Sequence, residues 1–251
     1  MLHRSLLQKQ HLDEQLKIAR AVQSRLIPHH APEVPGYDIS GACLSAFAIG
    51  GDSFDYIPLD GGRLGIALAD VSGDGVPAAL VMAAFRALLR TQAKGGTAPA
   101  AACGRVNALL PDFTGDADFV TAVYGILDPR DGTFTYTNCG HHPLLCLRAD
   151  GRIEAHKTGG PALSVYEEAR FETGVIALGQ GDVMVLYTDG LVEIADAAGQ
   201  LFGMDRLGDT LRQRKMGSAQ EILAGLIEAA RAFREAEEFA DDVTALVVRR
   251  L

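Results

Sequence analysis

Apolar positions along the chain fall into blocks of different period. Over 5–28, Leu12, Leu16, Ala19 and Leu26 recur at helical spacing, with glutamine, lysine and arginine on the other faces. Pro28, Pro32 and Pro35-Gly36 then end that helix in a stiff connector. Beyond it the period drops to two. Segments 37–49, 53–59 and 63–71 read as strands, punctuated by Gly50-Gly51 and Asp60-Gly61-Gly62. Segments 76–93 and 98–110 read as helices, the first apolar nearly all round and therefore buried. Strands return at 119–128 and 133–138, joined by the turn Pro129-Arg130-Asp131-Gly132, and continue at 144–148, 152–156 and 182–188. Helices at 204–215 and 218–234 follow, the second opened by Ser218 and Glu221 at capping-box spacing. A strand at 243–249 closes the order.

Runs of strands interrupted by paired helices predict an α+β fold with two stacked, mainly antiparallel sheets. Segments 64–69, 183–186 and 245–248 are apolar on both faces, so helices must flank the stack outside. The domain division read from this is 1–30, a linker and regulatory helix, and 31–251, the folded domain. The stripe on the first helix suits a homodimer contact, since a lone helix of that length is marginal unless its stripe is covered.

Composition narrows the function classes. Of 251 residues, 48% are hydrophobic, which excludes disorder, and the apolar stretch 76–85 is stopped by Arg86, well short of the about 18 residues of a membrane span. A net charge of −9 opposes binding to nucleic acid or anionic lipid unless cations intervene. The N-terminus leads into a polar helix, and Cys43, Cys103, Cys139 and Cys146 are scattered with no C-x-x-C. Both features predict reduced thiols and a cytoplasmic location.

The candidate chemistry lies in aspartates beside apolar strands. Asp70 ends the 63–71 strand with the parity of Leu64, Ile66 and Leu68. Asp189 ends the 182–188 strand, Asp242 precedes the last strand, and Asp52 follows Gly50-Gly51. Any one of these alone is explained by a turn. Four together, with no comparable set of basic residues beside them, point to a hard divalent cation held by oxygens. Two look-alikes fail. The run from Asp70 to Gly75 resembles half an EF-hand loop, but its twelfth place is Val81 instead of Glu. Gly73-x-Gly75-x-x-Ala78 resembles a dinucleotide fingerprint, but Lys94-Gly95-Gly96 stands where the ribose acid belongs. The pair His141-His142 suits a turn or a supporting hydrogen bond better than direct ligation.

These motifs, in this order, resemble the SpoIIE-type, RsbU-like serine/threonine phosphatases of the metal-dependent, protein phosphatase 2C-like superfamily. The matching pieces are Gly50-Gly51-Asp52-Ser53-Phe54-Asp55, the run Ala69-Asp70-Val71-Ser72-Gly73-Asp74-Gly75, and Phe119-Val120-Thr121-Ala122. They continue with Asn138-Cys139-Gly140-His141-His142-Pro143, Thr188-Asp189-Gly190-Leu191 and Asp241-Asp242-Val243-Thr244. Ser53 and Asp74 depart from what many relatives carry, and neither is a presumed ligand.

The resemblance implies an α-β-β-α sandwich with two Mn²⁺ or Mg²⁺ ions between the sheets. Asp70 would bridge both, Asp189 and Asp242 would complete one site, and Asp52 with the Val71 carbonyl would serve the other. Asp55 would be an outer or third-ion ligand. The implied reaction is direct hydrolysis of phosphoserine or phosphothreonine without a phosphoenzyme. The implied substrate is a phosphorylated STAS-domain anti-sigma-factor antagonist, and an upstream sensor or receiver domain is the implied regulator. The competing function is a non-catalytic partner-switching module. A two-metal nuclease is disfavoured because no basic stripe tracks a nucleic-acid backbone.

Overall fold

The strands alternate as the period-two pattern requires, and that alternation sorts the core into three layers. The structure, a computed structural model, describes residues 2–115, 117–234 and 239–251, with the side chains of residues 2–9 and 13 outside that description. The elements begin α1 (Leu2–Gln23), β1 (Tyr37–Leu44), β2 (Ser53–Pro58), β3 (Leu64–Val71), α2 (Gly75–Gln92), α3 (Pro99–Leu109). Next come β4 (Val120–Asp128), β5 (Thr133–Cys139), β6 (Leu144–Leu147), β7 (Ile153–His156), β8 (Gly159–Gly160) and β9 (Gly174–Ala177). The chain finishes with β10 (Val183–Tyr187), α4 (Asp189–Val192), α5 (Gly203–Arg214), α6 (Ala219–Arg234) and β11 (Val243–Arg250).

One sheet runs β1-β11-β10-β6-β7. The other runs β2-β3-β4-β5-β8, with β9 also on β5. Among the described strand ladders only β5–β8 is parallel, beside one isolated parallel bridge between Ala122 and Gly140. Between the sheets, Phe54 and Tyr56 of β2 and Leu64, Ile66 and Leu68 of β3 meet Met184 and Leu186 of β10 and Leu246 and Val248 of β11. The opposite face of β3, with Ala67, Ala69 and Val71, packs under α2 and α3. The opposite faces of β10 and β11 pack under α5 and α6. The result is the expected α-β-β-α sandwich. The capping box forms as read: Ser218 N–H donates to Glu221 Oε2 at 2.7 Å, and Glu221 N–H donates to Ser218 Oγ at 3.2 Å.

Several boundaries differ from the sequence pattern for physical reasons. The first strand stops at Leu44 instead of 49, because its ladder partner β11 begins at Val243. Beyond it the Ala46 N–H donates to the Asp242 carboxylate instead. The first helix stops at Gln23, five residues short of Pro28. Of its stripe, Leu12 is 55% exposed, Leu16 and Ala19 are half-buried, and Leu26 beyond the helix packs on the α2–α3 layer. Ile18 and Val22, off the stripe, are 66% and 56% exposed. No helix among the described residues is long and apolar enough to cross a membrane.

Candidate metal centre

Parity decides which aspartates enter the space between the sheets. Asp70 shares the face of Leu64, Ile66 and Leu68, all packed between the sheets, so its carboxyl points where the sandwich opens at one end. Asp52 precedes β2 with the parity of Phe54 and Tyr56, and lies buried there at 3% exposure. Thr188, just beyond β10 with the parity of Met184 and Leu186, donates its hydroxyl to Asp52 Oδ2 at 2.8 Å. The open end forms a cleft of about 420 Å³ walled by Asp70, Val71, Thr121, His142, Asp189 and Asp241.

No lysine or arginine lines that cleft among the described residues. Burial and the negative charges of Asp189, Asp241 and Asp242 raise the Asp70 carboxyl to about 7. Burial and the adjacent Asp70 push Asp52 well above the usual carboxylate range. Burial, with Asp189 and Asp74 nearby, raises Asp241 as well. Crowded carboxylates without a counter-cation are unfavourable unless something positive joins them, and an all-oxygen donor set suits a hard divalent ion. The residues present therefore fit the implied Mn²⁺ or Mg²⁺.

The structure brings Asp52, Asp70, Val71 and Asp189 together, and it treats Asp242 differently. Asp242 does face inward, but its carboxylate is engaged by the 45–52 loop. Oδ1 accepts from Ala46 N–H at 2.8 Å and Oδ2 from Asp52 N–H at 3.4 Å. Asp241 stands in the cleft beside Asp70 and Asp189 in its place. Asp55 is not in the cleft either. With the parity of Ile57 it faces α2, where Arg86 reaches Oδ1 at 3.1 Å and Arg90 reaches Oδ1 at 2.7 Å and Oδ2 at 2.5 Å. This basic pair was not evident beside the motif, because it lies 31 and 35 residues further along.

The histidines divide the two roles considered for them. His141 is a buried support: Nδ1 meets the Thr121 hydroxyl at 2.7 Å and Nε2 meets the Tyr187 carbonyl at 2.9 Å. Burial lowers its pKa to about 4, so it is neutral. Thr121 sits opposite Asp70 in the β3–β4 ladder, so this bridge ties the two sheets together at the cleft. His142 instead offers a ring nitrogen within 4.8 Å of a donor oxygen from each of Asp189 and Glu193. The four-residue spacing of Asp189 and Glu193 across the α4 turn is a sequence signal for Glu193, whereas the sequence sets the His141-His142 pair against direct ligation. No cysteine lines the cleft among the described residues, and burial pushes Cys43 and Cys146 up to about 12 and raises Cys139 strongly.

Comparison with known proteins agrees with this architecture. The family model described as Stage II sporulation protein E (SpoIIE) matches residues 60–251. Protein IcfG of Synechocystis sp. is 28% identical, over 94% of this chain and 41% of its own length. Phosphoserine phosphatase RsbU of Bacillus subtilis is 26% identical, over 96% of this chain and 72% of its own. The chain thus spans well under half of one curated relative and about three quarters of the other. Among solved structures, the SiaA-PP2C domain of Pseudomonas aeruginosa superposes with a TM-score of 0.84 at 21% identity, covering 96% of this chain and 98% of that domain. With the sandwich, its cleft and the matched motifs in agreement, the chain belongs to the SpoIIE family and has the PP2C fold.

Proposed function

We propose that the chain is a metal-dependent phosphoserine/phosphothreonine protein phosphatase. The observation that carries this reading is the convergence of Asp70, Asp189 and Asp241 on one open cleft that no lysine or arginine lines among the described residues, with Asp52 buried beside Asp70. Asp70 would bridge, Asp189 and Asp241 would complete one position, and Asp52 with the Val71 carbonyl would serve the other. This assignment puts Asp241 where the motif reading put Asp242. Two bound Mn²⁺ or Mg²⁺ ions would activate water and neutralise phosphate oxygens. The protein's own groups fix the geometry. Thr188 orients Asp52, Asp242 anchors the loop carrying it, and neutral His141 holds the cleft wall. No cysteine lines the cleft among the described residues, so water is the attacking group this reading assigns, and no phosphoenzyme is required.

The name of RsbU, phosphoserine phosphatase, supports the substrate class. A phosphorylated STAS-domain anti-sigma-factor antagonist is the partner this reading assigns, in the cytoplasm, with residues 1–30 linking the 31–251 domain to an upstream sensor or receiver domain. The exposed Leu12, Ile18 and Val22 support a homodimer through α1, and a monomeric mass by light scattering would end that part. The function is tested by phosphate release from a phosphoserine peptide. We expect release with Mn²⁺, none with chelator, and none from Asp70→Asn. A chain that binds Mn²⁺ and a phosphorylated STAS protein but never turns it over would be the partner-switching module instead.

A further inference from the structure

The last residue of α1 is joined to the metal centre by a contact that the phosphatase reading does not use. Gln23 is 8% exposed, while residues 20–22 and 24–25 around it are exposed. Its side chain crosses to Gly50, 27 positions away. Nε2 donates to the Gly50 carbonyl at 2.6 Å, and Oε1 accepts from Gly50 N–H at 3.2 Å. One amide thus satisfies both backbone polar groups of one buried residue, which water cannot reach to replace. Among the described side chains of the helix only Leu16 and Ala19 are half-buried, and Gln23 alone is buried.

Gly50 and Gly51 show what is being held. A Cβ at Gly50 would run into the Asp242 carboxylate, which already anchors the Ala46 and Asp52 amides. A Cβ at Gly51 would lie 2.9 Å from the Val71 carbonyl oxygen. The 45–52 loop is therefore gripped by Gln23 on one side and Asp242 on the other. Between those grips it touches one proposed donor, the Val71 carbonyl, and carries another, Asp52. We infer that Gln23 is a positioning residue that sets the Asp52 and Val71 donors for the metal through Gly50. The inference rests on the proposed metal site and deepens it.

The test uses the full chain freed of metal, with Mn²⁺ binding followed by electron paramagnetic resonance of the free ion. Gln23→Met keeps the length and apolar stem but removes both hydrogen bonds, whereas Gln23→Glu keeps the acceptor for Gly50 N–H and loses the donor. We expect Gln23→Met to weaken Mn²⁺ binding at one position by about tenfold, with Gln23→Glu between it and wild type. Phosphatase activity should return when Mn²⁺ is raised, as lost positioning of a donor requires. If Gln23→Met does not fold, Gln23→Glu decides. Wild-type affinity in the folded variants, whether or not their melting temperature falls, would overturn the inference and leave Gln23 a structural clasp. Failure of the wild-type chain itself to bind Mn²⁺ would instead overturn the metal reading beneath it.

Discussion

Asp241 and Asp242 are adjacent carboxylates with different partners, and substitution by asparagine separates them. Asp241→Asn removes a negative charge from a crowded cleft, so the metal-free fold should be unharmed while the melting shift given by Mn²⁺ largely disappears. Asp242→Asn leaves one oxygen to accept two amides, those of Ala46 and Asp52, and should cost about 1–2 kcal/mol in the metal-free protein. Chemical denaturation with and without Mn²⁺ reads both. A stability loss at Asp241→Asn with metal response intact, and the reverse at Asp242→Asn, would exchange the assignments. Strand parity made Asp70 legible in the sequence, and the Gly50-Gly51 turn after an apolar segment made Asp52 so. Its place before the last strand and in the motif singles out Asp242, and no periodicity shows a loop closing over its carboxylate and engaging both oxygens.

The β2 and α2 elements are tied by Asp55 with Arg86 and Arg90. Asp55 is nearly buried, so Asp55→Ala leaves guanidinium groups facing an apolar layer. We expect a loss on the order of 3 kcal/mol, moderated because Arg90 is partly exposed and screened. Mn²⁺ affinity should be nearly unchanged, and a large loss of affinity in a folded Asp55→Ala protein would return Asp55 to the metal centre. At this scale the long elements were legible, since 76–93 and 218–234 carry enough turns of one period to declare themselves. Gly159–Gly160 and Gly174–Ala177 were not, because a strand of two glycines has no side-chain pattern and one of four residues has almost none. The α4 turn was hidden in what read as the end of a strand.

Across the molecule, the layers follow from chemistry that the sequence displays: strands apolar on both faces require cover on both sides. The cleft lies where the sheets' inward faces run out of apolar residues, and its acids make the metal-free protein sensitive to pH. Asp70 has a folded pKa near 7, raised above the unfolded value of about 3.8. A raised carboxyl contributes most stability below the unfolded value and loses it as pH rises through 7. Metal binding needs the ionised form, so the melting gap between Mn²⁺-loaded and metal-free protein should widen from pH 5.5 to 8. His141 stays neutral across that range in both forms and leaves the gap unaffected. A gap that narrows with pH would mean the acids are not the ligands.

The central claim is that Asp70 is the shared ligand of a metal pair in this cleft, and anomalous diffraction at the manganese edge from crystals of the chain grown with Mn²⁺ tests it most directly. Two peaks are expected to flank the Asp70 carboxylate, one toward Asp52 and the Val71 carbonyl and the other toward Asp189 and Asp241. Peaks elsewhere on the surface with none at Asp70, or a peak held by Asp242 with Asp241 turned away, would contradict it.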